Sequence, residues 1–309
     1  MTKLLSAAVA LLLVAAGGAS AATLRVGPDQ TYKAPSQAIA AAHDGDTVTI
    51  AAGTYFDCAS VRQNNLTIEG VGPKTVMTDR TCAGKAILVI DGNNDTVKNL
   101  TLQRARVPDG NGAGVRAEGG NLTLDGVDVV NNQDGLLAAP NPKATIRILN
   151  SNFVDNGTCS SGGGCAHAIY VNALALLDVE HTRIYDTQHG HSIKSRALKT
   201  IVKDCTIEDG PNGTSSYQID IPSGGSLIAD GNTFEKGPKA ENHGTAISIG
   251  EEGVSQPTDV IELKDNTLIN NTGFPTVFVH NITATSAQLS GNTFKGGKVT
   301  PLEGDGSAH

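Results

Sequence analysis

The sequence has 309 residues and a formal net charge of −8 at pH 7, with 36 glycines, no tryptophan and only 4% aromatic residues. The negative charge and the lack of a basic stretch argue against nucleic acid or an anionic membrane surface as partners, although a local basic cluster can still bind an anionic glycan. Many turn-forming and β-branched residues favour an all-β repeat over a helical bundle.

Residues 1–22 have the pattern of a secretory signal peptide. Lys3 supplies the positive charge, residues 4–16 are apolar, and Ala19, Ser20 and Ala21 form a small-residue cleavage site. The apolar run is too short to span a membrane and no second one follows, so we expect no membrane insertion. The sequence therefore predicts a secreted or periplasmic chain that begins near Thr23.

A short helix is predicted at residues 34–43, followed by strands at residues 47–50 and 53–55. The helix precedes a long region of repeated strands. Since the end of a repeat array would otherwise expose its core, we expect this helix to act as a cap.

Five cysteines in an exported chain predict disulfide bonds. Cys159 and Cys165 bracket a glycine-rich loop and are predicted to pair, and Cys58 can pair with Cys82. Cys205 remains, and its place in a repeated pattern indicates a buried ladder residue rather than a nucleophile.

A four-residue pattern recurs from residue 99 to residue 294, in which Gly, Asn or Asp often stands first and an apolar residue last. Steps of 23 to 34 residues separate the copies, a spacing typical of a solenoid with loop insertions. The apolar residues that end the copies are Leu102, Val129, Phe153, Ile184, Ile207, Phe234, Leu268 and Phe294.

Between these copies lie short segments that alternate between outward and inward positions, at residues 168–171, 192–195, 218–221, 246–249 and 276–279. Period two with one apolar face is the signature of a strand. Similar strands one turn apart stack in parallel, which predicts a parallel β-helix over residues 23–297 and a polar, frayed tail over residues 298–309. Asn and Asp residues at one corner can form side-chain ladders.

The N-terminal region contains Gln37-Ala38-Ile39, Gly45-Asp46, Gly53-Thr54-Tyr55 and the run at residues 65–70, and the repeat continues from there to Phe294. With these segments the chain resembles pectate-lyase-like β-helix proteins. This resemblance implies an all-β, single-stranded right-handed parallel β-helix with a short N-terminal helical cap. This fold carries lyases, hydrolases, esterases, epimerases and non-enzymes, so it does not fix the reaction.

Stacked coils are expected to gather one cluster of ionisable residues on the outer surface. The predicted outward column contains Tyr170, Lys194, Asp220, Ser248 and Phe278, with Arg116 and Leu137 earlier. Residues predicted near one corner are His167, His189, His191 and Tyr217, with Arg196 beside Lys194. His181 and His280 stand apart from this cluster and are interpreted as structural.

The cluster suits an acidic polysaccharide or oligosaccharide. Arg196 can clamp a sugar carboxylate, Lys194 can abstract the neighbouring proton, and Tyr170 or His191 can protonate the leaving oxygen, which together amount to β-elimination. The candidate substrate-binding residues are His167, His189, Tyr217, Asp220 and Arg116.

The segment 192–195 with the run at residues 203–207 is similar to the K-S motif of alginate-lyase and chondroitinase-B-like lyases. This resemblance implies that Lys194 is the base. The family has an arginine in the following coil, where this sequence has Asp220, and acidic calcium ligands before the lysine, where it has Thr187 and His189. We therefore predict no cofactor and no metal, with calcium the alternative that the resemblance implies.

Three other functions stay open. His167, His189 and His191 can bind a transition metal, although Lys194 and Arg196 would repel it. Carboxylates in neighbouring coils can hydrolyse a glycoside, namely Asp220 with Glu241, Glu251 and Glu252. A non-catalytic solenoid that binds glycan or organises the cell envelope fits the composition equally well. In each case we expect a monomer.

Overall fold

The computed structural model describes residues 20–159 and 164–309, and most of the predicted signal peptide, residues 1–22, lies outside the described residues. Within these ranges the chain winds into a right-handed parallel β-helix with three sheets, which confirms the predicted fold class. No helix of the described part is long and apolar enough to cross a membrane.

The three sheets are named A, B and C in the order in which the chain visits them. Sheet A contains Thr23–Val26, Thr47–Ile50, Thr67–Glu69, Asp95–Lys98, Leu122–Asp125, Asn141–Leu149, Leu174–Glu180, Lys199–Lys203, Ser226–Asp230, Ile261–Lys264, Ala287–Ser290 and Gly306–Ala308. Sheet B contains Gly53–Tyr55, Thr75–Thr78, Thr101–Gln103, Asp128–Val130, Asn152–Val154, Arg183–Tyr185, Thr206–Glu208, Thr233–Lys236, Thr267–Asn270 and Thr293–Gly296. Sheet C contains Ala59–Val61, Ala86–Ile90, Ala113–Ala117, Asp134–Ala138, Ile169–Val171, His191–Ser195, Tyr217–Ile221, Thr245–Ile249, Thr276–Asn281 and Val299–Gly304.

The corner between sheets A and B explains the repeated pattern. Its first residue has a φ between 48° and 68° in all eight copies. Gly, Asn and Asp adopt this left-handed conformation at the lowest cost, which is why they recur there. These positions are Asn99, Gly126, Asn150, His181, Asp204, Gly231, Asp265 and Gly291.

The predicted core columns are confirmed. The eight apolar residues from Leu102 to Phe294 pair one with the next along sheet B. In sheet C, Ile169, Ile193, Ile219 and Ile247 stack in register and are fully buried. Each coil therefore hides its apolar side chains only by lying on its neighbours.

Asparagine ladders form at the corner as expected. The Nδ2 of Asn232 donates to Oδ1 of Asn266 at 2.9 Å, and Asn266 donates in the same way to Asn292. Cys205 occupies the preceding rung, where its backbone N–H donates to Asn232, and its buried thiol donates to the carbonyl of Lys203 at 3.1 Å. Cys205 is the free cysteine of the described chain, as predicted.

The N-terminal cap is a helix at Pro35–Ala41, slightly shorter than the predicted 34–43. Ala38 and Ile39 are buried against the first coils. The side chain of Gln63 donates to the carbonyls of Ile39 and Ala42, which satisfies groups that a helix C-terminus leaves unpaired.

The expected polar tail is wrong in one respect, because residues 298–309 form one more turn of the β-helix. Val299–Gly304 pairs with Thr276–Asn281, and Gly306–Ala308 pairs with Ala287–Ser290. Val299 and Leu302 pack against the core. A free strand edge offers unpaired N–H and C=O groups, so the segment pairs there despite its polar side chains.

Both predicted disulfides are present. Cys58 and Cys82 are bridged with a Cα separation of 5.5 Å, and Cys159 and Cys165 with one of 4.2 Å. The second bridge closes a small antiparallel hairpin of Thr158–Cys159 and Cys165–Ala166, which rises from the corner before sheet C.

Candidate active site

The outward column of sheet C runs Tyr170, Lys194, Asp220, Ser248 and His280, each paired with the next. Phe278 was predicted at the last position and lies instead in the core, against Phe234 and Phe294. The strand is apolar at three consecutive positions, so alternation alone does not set its register. The phenyl ring packs in the core, and His280, predicted to stand apart, takes the outward place.

A cleft of about 450 Å³ opens at the corner before sheet C. Four of the predicted residues line it, namely His167, Tyr170, His191 and Lys194. The other lining residues are Gly164, Cys165, Gly190, Ser216 and Glu241. Gly164 and Cys165, at the second disulfide, thus form one side of the cleft.

Three rings stack along the corner in successive coils. The centroids of His167 and His191 are 4.9 Å apart, and those of His191 and Tyr217 are 5.0 Å apart, close to the usual spacing of paired strands. Burial holds the pKa of His167 well below its usual range, and it lowers the pKa of His191 to about 3. Both imidazoles are therefore neutral at physiological pH.

A charged cluster forms the floor of the site. The Nζ of Lys194 lies 2.7 Å from Oε1 of Glu252 and 3.6 Å from Oδ2 of Asp220. Arg196 contacts Oε2 of Glu252 at 2.5 Å. Hydrogen bonds to Lys194 and then Arg196 lower the pKa of Glu252 to about 2. Two neighbouring cations thus hold one carboxylate between them.

Arg196 also organises its surroundings. Its Nη1 donates to Oγ of Ser223 at 2.7 Å, and its Nε donates to the phenol oxygen of Tyr170 at 3.2 Å. The phenol of Tyr170 therefore lies against a fixed positive charge within the cleft.

Asp220 lies behind Lys194, with its Oδ2 3.4 Å from Nε2 of His191. Burial raises the pKa of Asp220 to about 7, and the charge of Lys194 partly opposes this shift. Asp220 is almost completely buried and does not line the cleft, so it contacts the candidate catalytic residues from below.

Glu251 and Glu252 are the site residues whose position the sequence did not reveal. Both lie in a loop at residues 250–256 that folds back onto the previous coil. There the backbone N–H of Glu252 donates to the carbonyl of Pro222, and that of Ser255 donates to the carbonyl of Ser223. Glu251 accepts a hydrogen bond from Tyr217 at 2.6 Å and lies 3.6 Å from His280. From the sequence, Glu251 and Glu252 can only be placed in a loop. The sequence does not show that this loop folds back onto the previous coil.

Two predicted substrate-binding residues lie at the margin. Arg116 stands two coils from Tyr170 on the same column and pairs with Glu118 at 3.2 Å, outside the cleft lining. His189 lies at the rim and pairs with Glu241. Of the predicted site residues, Arg116 is thus the most distant from Lys194 along the column.

The positions that the resemblance assigns to calcium ligands do not fit a calcium ion. Thr187 is buried with its hydroxyl 3.2 Å from that of Ser192, and His189 is engaged with Glu241. Calcium prefers several carboxylate or carbonyl oxygens around one point. Over residues 20–159 and 164–309, no group of three or more His, Cys, Asp or Glu side chains is placed to hold a metal.

Comparison with known proteins gives similarity at the level of the fold. No family model matches the sequence, and no curated protein matches it. Among solved structures, an alginate lyase from Paenibacillus sp. str. FPU-7 superposes with a TM-score of 0.63 at 15% identity, covering 93% of this chain and 99% of the lyase. A pectin methylesterase from Aspergillus niger has a TM-score of 0.49 at 12% identity, covering 93% of this chain and 92% of the esterase. The chain therefore shares its fold, a right-handed parallel β-helix, with the alginate lyase.

Proposed function

We propose that this protein is an exported lyase that cleaves a uronic-acid-containing polysaccharide by β-elimination. One observation carries the proposal: Lys194 and Arg196 together hold a carboxylate, that of Glu252, beside the cleft that contains Tyr170. A sugar carboxylate has the same charge and shape as the side chain now bound there. The substrate is then expected to displace Glu252 and take its place.

The elimination assigns one proton transfer to each of two side chains. Once Glu252 has left, the ammonium of Lys194 releases a proton to solvent, and the resulting amine takes the proton from the carbon next to the carboxylate. The C–H electron pair forms a C=C bond, and the glycosidic C–O bond breaks. Tyr170 donates its phenolic proton to the leaving oxygen, and solvent returns a proton from Lys194 to Tyr170.

Tyr170 suits the role of acid better than His191, the other predicted candidate. The Nδ1 of His191 is sealed from solvent and has no hydrogen-bond partner in the described part of the chain, and burial lowers its pKa to about 3. With so low a pKa the ring is not protonated to the imidazolium at neutral pH, so it cannot act as the acid. Tyr170 lies on the cleft, and Arg196 stabilises the phenolate that proton donation leaves.

Export is part of the same proposal. Two disulfides are typical of proteins that fold outside the reducing cytoplasm, and the predicted signal peptide at residues 1–22 would direct the chain there. We propose that the mature protein acts on its glycan as a monomer.

Glycoside hydrolysis is the second candidate, because one observation favours it. Asp220 and Glu252 both lie within 4 Å of the Lys194 ammonium, and their pKa values are separated, near 7 and near 2. A protonated and an ionised carboxyl group are what a glycosidase needs. Asp220 is buried beneath Lys194, however, and this position separates it from a sugar in the cleft.

The test is to incubate the mature protein with alginate and other uronic-acid polymers and to measure both unsaturated products and new reducing ends. Elimination yields one unsaturated end for each new reducing end, whereas hydrolysis yields reducing ends alone. Binding without either product would assign the protein to the non-catalytic glycan-binding solenoids.

A further inference from the structure

His167 has a ring whose proton position is fixed by the backbone. The N–H of His191 donates to Nδ1 of His167 at 2.9 Å. A backbone amide always carries its hydrogen, so Nδ1 must be an unprotonated acceptor. The neutral ring therefore carries its hydrogen on Nε2. Protonation of Nδ1 would place two N–H groups against each other.

Two further contacts hold this arrangement. The backbone N–H of His167 donates to Oδ1 of the buried Asp134 at 2.8 Å. Gly190, with a φ of 52°, allows the backbone before His191 to approach the ring. A Cβ at this position would lie 2.2 Å from the carbonyl oxygen of Ala166 and 2.8 Å from Nδ1 of His167. A residue larger than glycine therefore does not fit there.

The Nε2 edge of the ring is available to a ligand. His167 lines the cleft and lies edge-on to Tyr170, with 5.1 Å between ring centroids. Nε2 has no hydrogen-bond partner in the described part of the chain, and, unlike Nδ1 of His191, it is not sealed from solvent. Burial is the main cause that keeps the ring neutral, and the neighbouring His191, Lys194 and Arg196 add to it.

We propose that His167 is a further catalytic residue, a fixed neutral donor whose Nε2–H binds an oxygen of the substrate carboxylate. This inference rests on the proposed elimination. Negative charge moves onto the carboxylate oxygens as the neighbouring C–H bond breaks, so a donor already in place stabilises the transition state more than the ground state. Because His167 donates as a neutral imidazole, it does not have to take up a proton before it binds the carboxylate. It therefore does not compete with Lys194 or Arg196 for a proton.

Two isosteric substitutions separate the two nitrogens. In His167→Gln the side-chain amide reaches the place of Nε2, whereas in His167→Asn it reaches only the place of Nδ1 and can accept from His191. We expect His167→Asn to lose roughly 10²–10³-fold in kcat, as when an oxyanion donor is removed, with KM changed much less. His167→Gln should stay within about tenfold of the wild type, since it restores the donor. Equal losses in both variants, or a more active Asn variant, would overturn the proposal.

A second measurement does not depend on activity. In ¹⁵N-labelled wild-type protein, the nitrogen NMR shifts of His167 should identify the Nε2–H tautomer, unchanged from pH 5 to pH 8. A ring that titrates in this range, or that carries its hydrogen on Nδ1, would contradict the fixed donor whatever the substrate proves to be. If the tautomer is as expected but no uronate polymer is cleaved, the proposed function fails instead.

Discussion

The outer face of sheet C carries the same charge pattern twice. In the N-terminal triad, Glu118 lies between Lys85 at 2.7 Å and Arg116 at 3.2 Å. In the cleft triad, Glu252 lies between Lys194 at 2.7 Å and Arg196 at 2.5 Å. Composition and contact distances alone do not tell these two triads apart.

Their surroundings and their connection to the chain differ. The N-terminal triad adjoins a small apolar cluster that includes Val89 and Leu137, and the side chain of Lys85 is 40% exposed. In the cleft triad the side chain of Lys194 is 12% exposed and lies among ionisable groups.

Chain connectivity adds a second difference. Glu118 is two residues from Arg116, whereas Glu252 is 56 residues from Arg196 and sits on a separate loop. Glu252 can therefore leave its partners by a movement of that loop, whereas Glu118 directly follows the strand Ala113–Ala117 that carries Arg116. The cleft triad is thus a candidate binding site because ionisable groups surround it and because the loop that carries Glu252 can move away.

The largest expected contrast is between the two lysines. Lys194→Ala should lower turnover by roughly 10²–10⁴-fold, as expected for loss of a general base, whereas Lys85→Ala should leave turnover unchanged. Both variants should keep nearly the wild-type melting temperature, because neither side chain belongs to the core. Initial rates of unsaturated product formation measure the effect. An active Lys194→Ala together with an inactive Asp220→Asn would replace elimination by hydrolysis.

The two disulfides extend the comparison, since one lies near each triad. Cys82 packs against the apolar cluster beside the N-terminal triad, and Cys165 lines the cleft. Loop-closure entropy assigns about 3 kcal/mol to the longer loop, with a separation of 24 residues, and about 2 kcal/mol to the shorter one, with 6.

We therefore expect Cys58→Ser with Cys82→Ser to lower the melting temperature most while preserving activity. Cys159→Ser with Cys165→Ser should lower activity more than stability, because it frees a wall of the cleft. Thermal melts and initial rates on both double variants separate the two roles. If the Cys58–Cys82 variant instead lost activity while the Cys159–Cys165 variant lost mainly stability, the hairpin would not be part of the site.

The two glutamates should respond differently to loss of charge. Glu252→Gln removes the internal carboxylate that competes with substrate, so KM should fall by up to roughly fivefold, since a partly exposed ion pair contributes at most ~1 kcal/mol. Glu118→Gln should leave KM unchanged. Saturation kinetics on a uronate oligosaccharide measure both. A higher KM in Glu252→Gln would mean that Glu252 holds the cations in place for the substrate.

The smallest effect is expected from Asp134, in one of the two coils that lie between the two triads. Burial raises the pKa of Asp134 to about 7, and Oδ2 has no partner among the described residues. The folded state therefore binds the proton more tightly than the unfolded state, and its contribution to stability is lost as the pH rises from about 4 through 7.

Asp134→Asn should remove that contribution, so its melting temperature should fall less than that of the wild type between pH 5 and pH 8. The Asn Oδ1 can still accept from His167, which makes the two curves comparable. Parallel curves for wild type and variant would show that Asp134 does not titrate in this range.

Much of the architecture was predictable because it rests on local rules that every coil repeats. A left-handed corner favours Gly, Asn or Asp at the first residue of each copy, and a buried rung requires an apolar residue at the fourth. Leu102 to Phe294 therefore aligned without any knowledge of contacts. Where the local rule is ambiguous, as in the apolar run that contains Phe278, the predicted register was two residues off.

The sequence by itself determined the β-helix, its core columns, both disulfides and the cluster of His167, Tyr170, His191 and Lys194, because strand periodicity and coil spacing are properties of consecutive residues. Only the tertiary structure decided that Glu252 returns to Lys194 and Arg196, that Asp220 lies below the cleft, and that Arg116 lies outside it. Those positions depend on how loops of different length fold across neighbouring coils. The path of such a loop is set by packing and charge between segments that lie far apart in the chain. A local sequence pattern contains no information about these contacts.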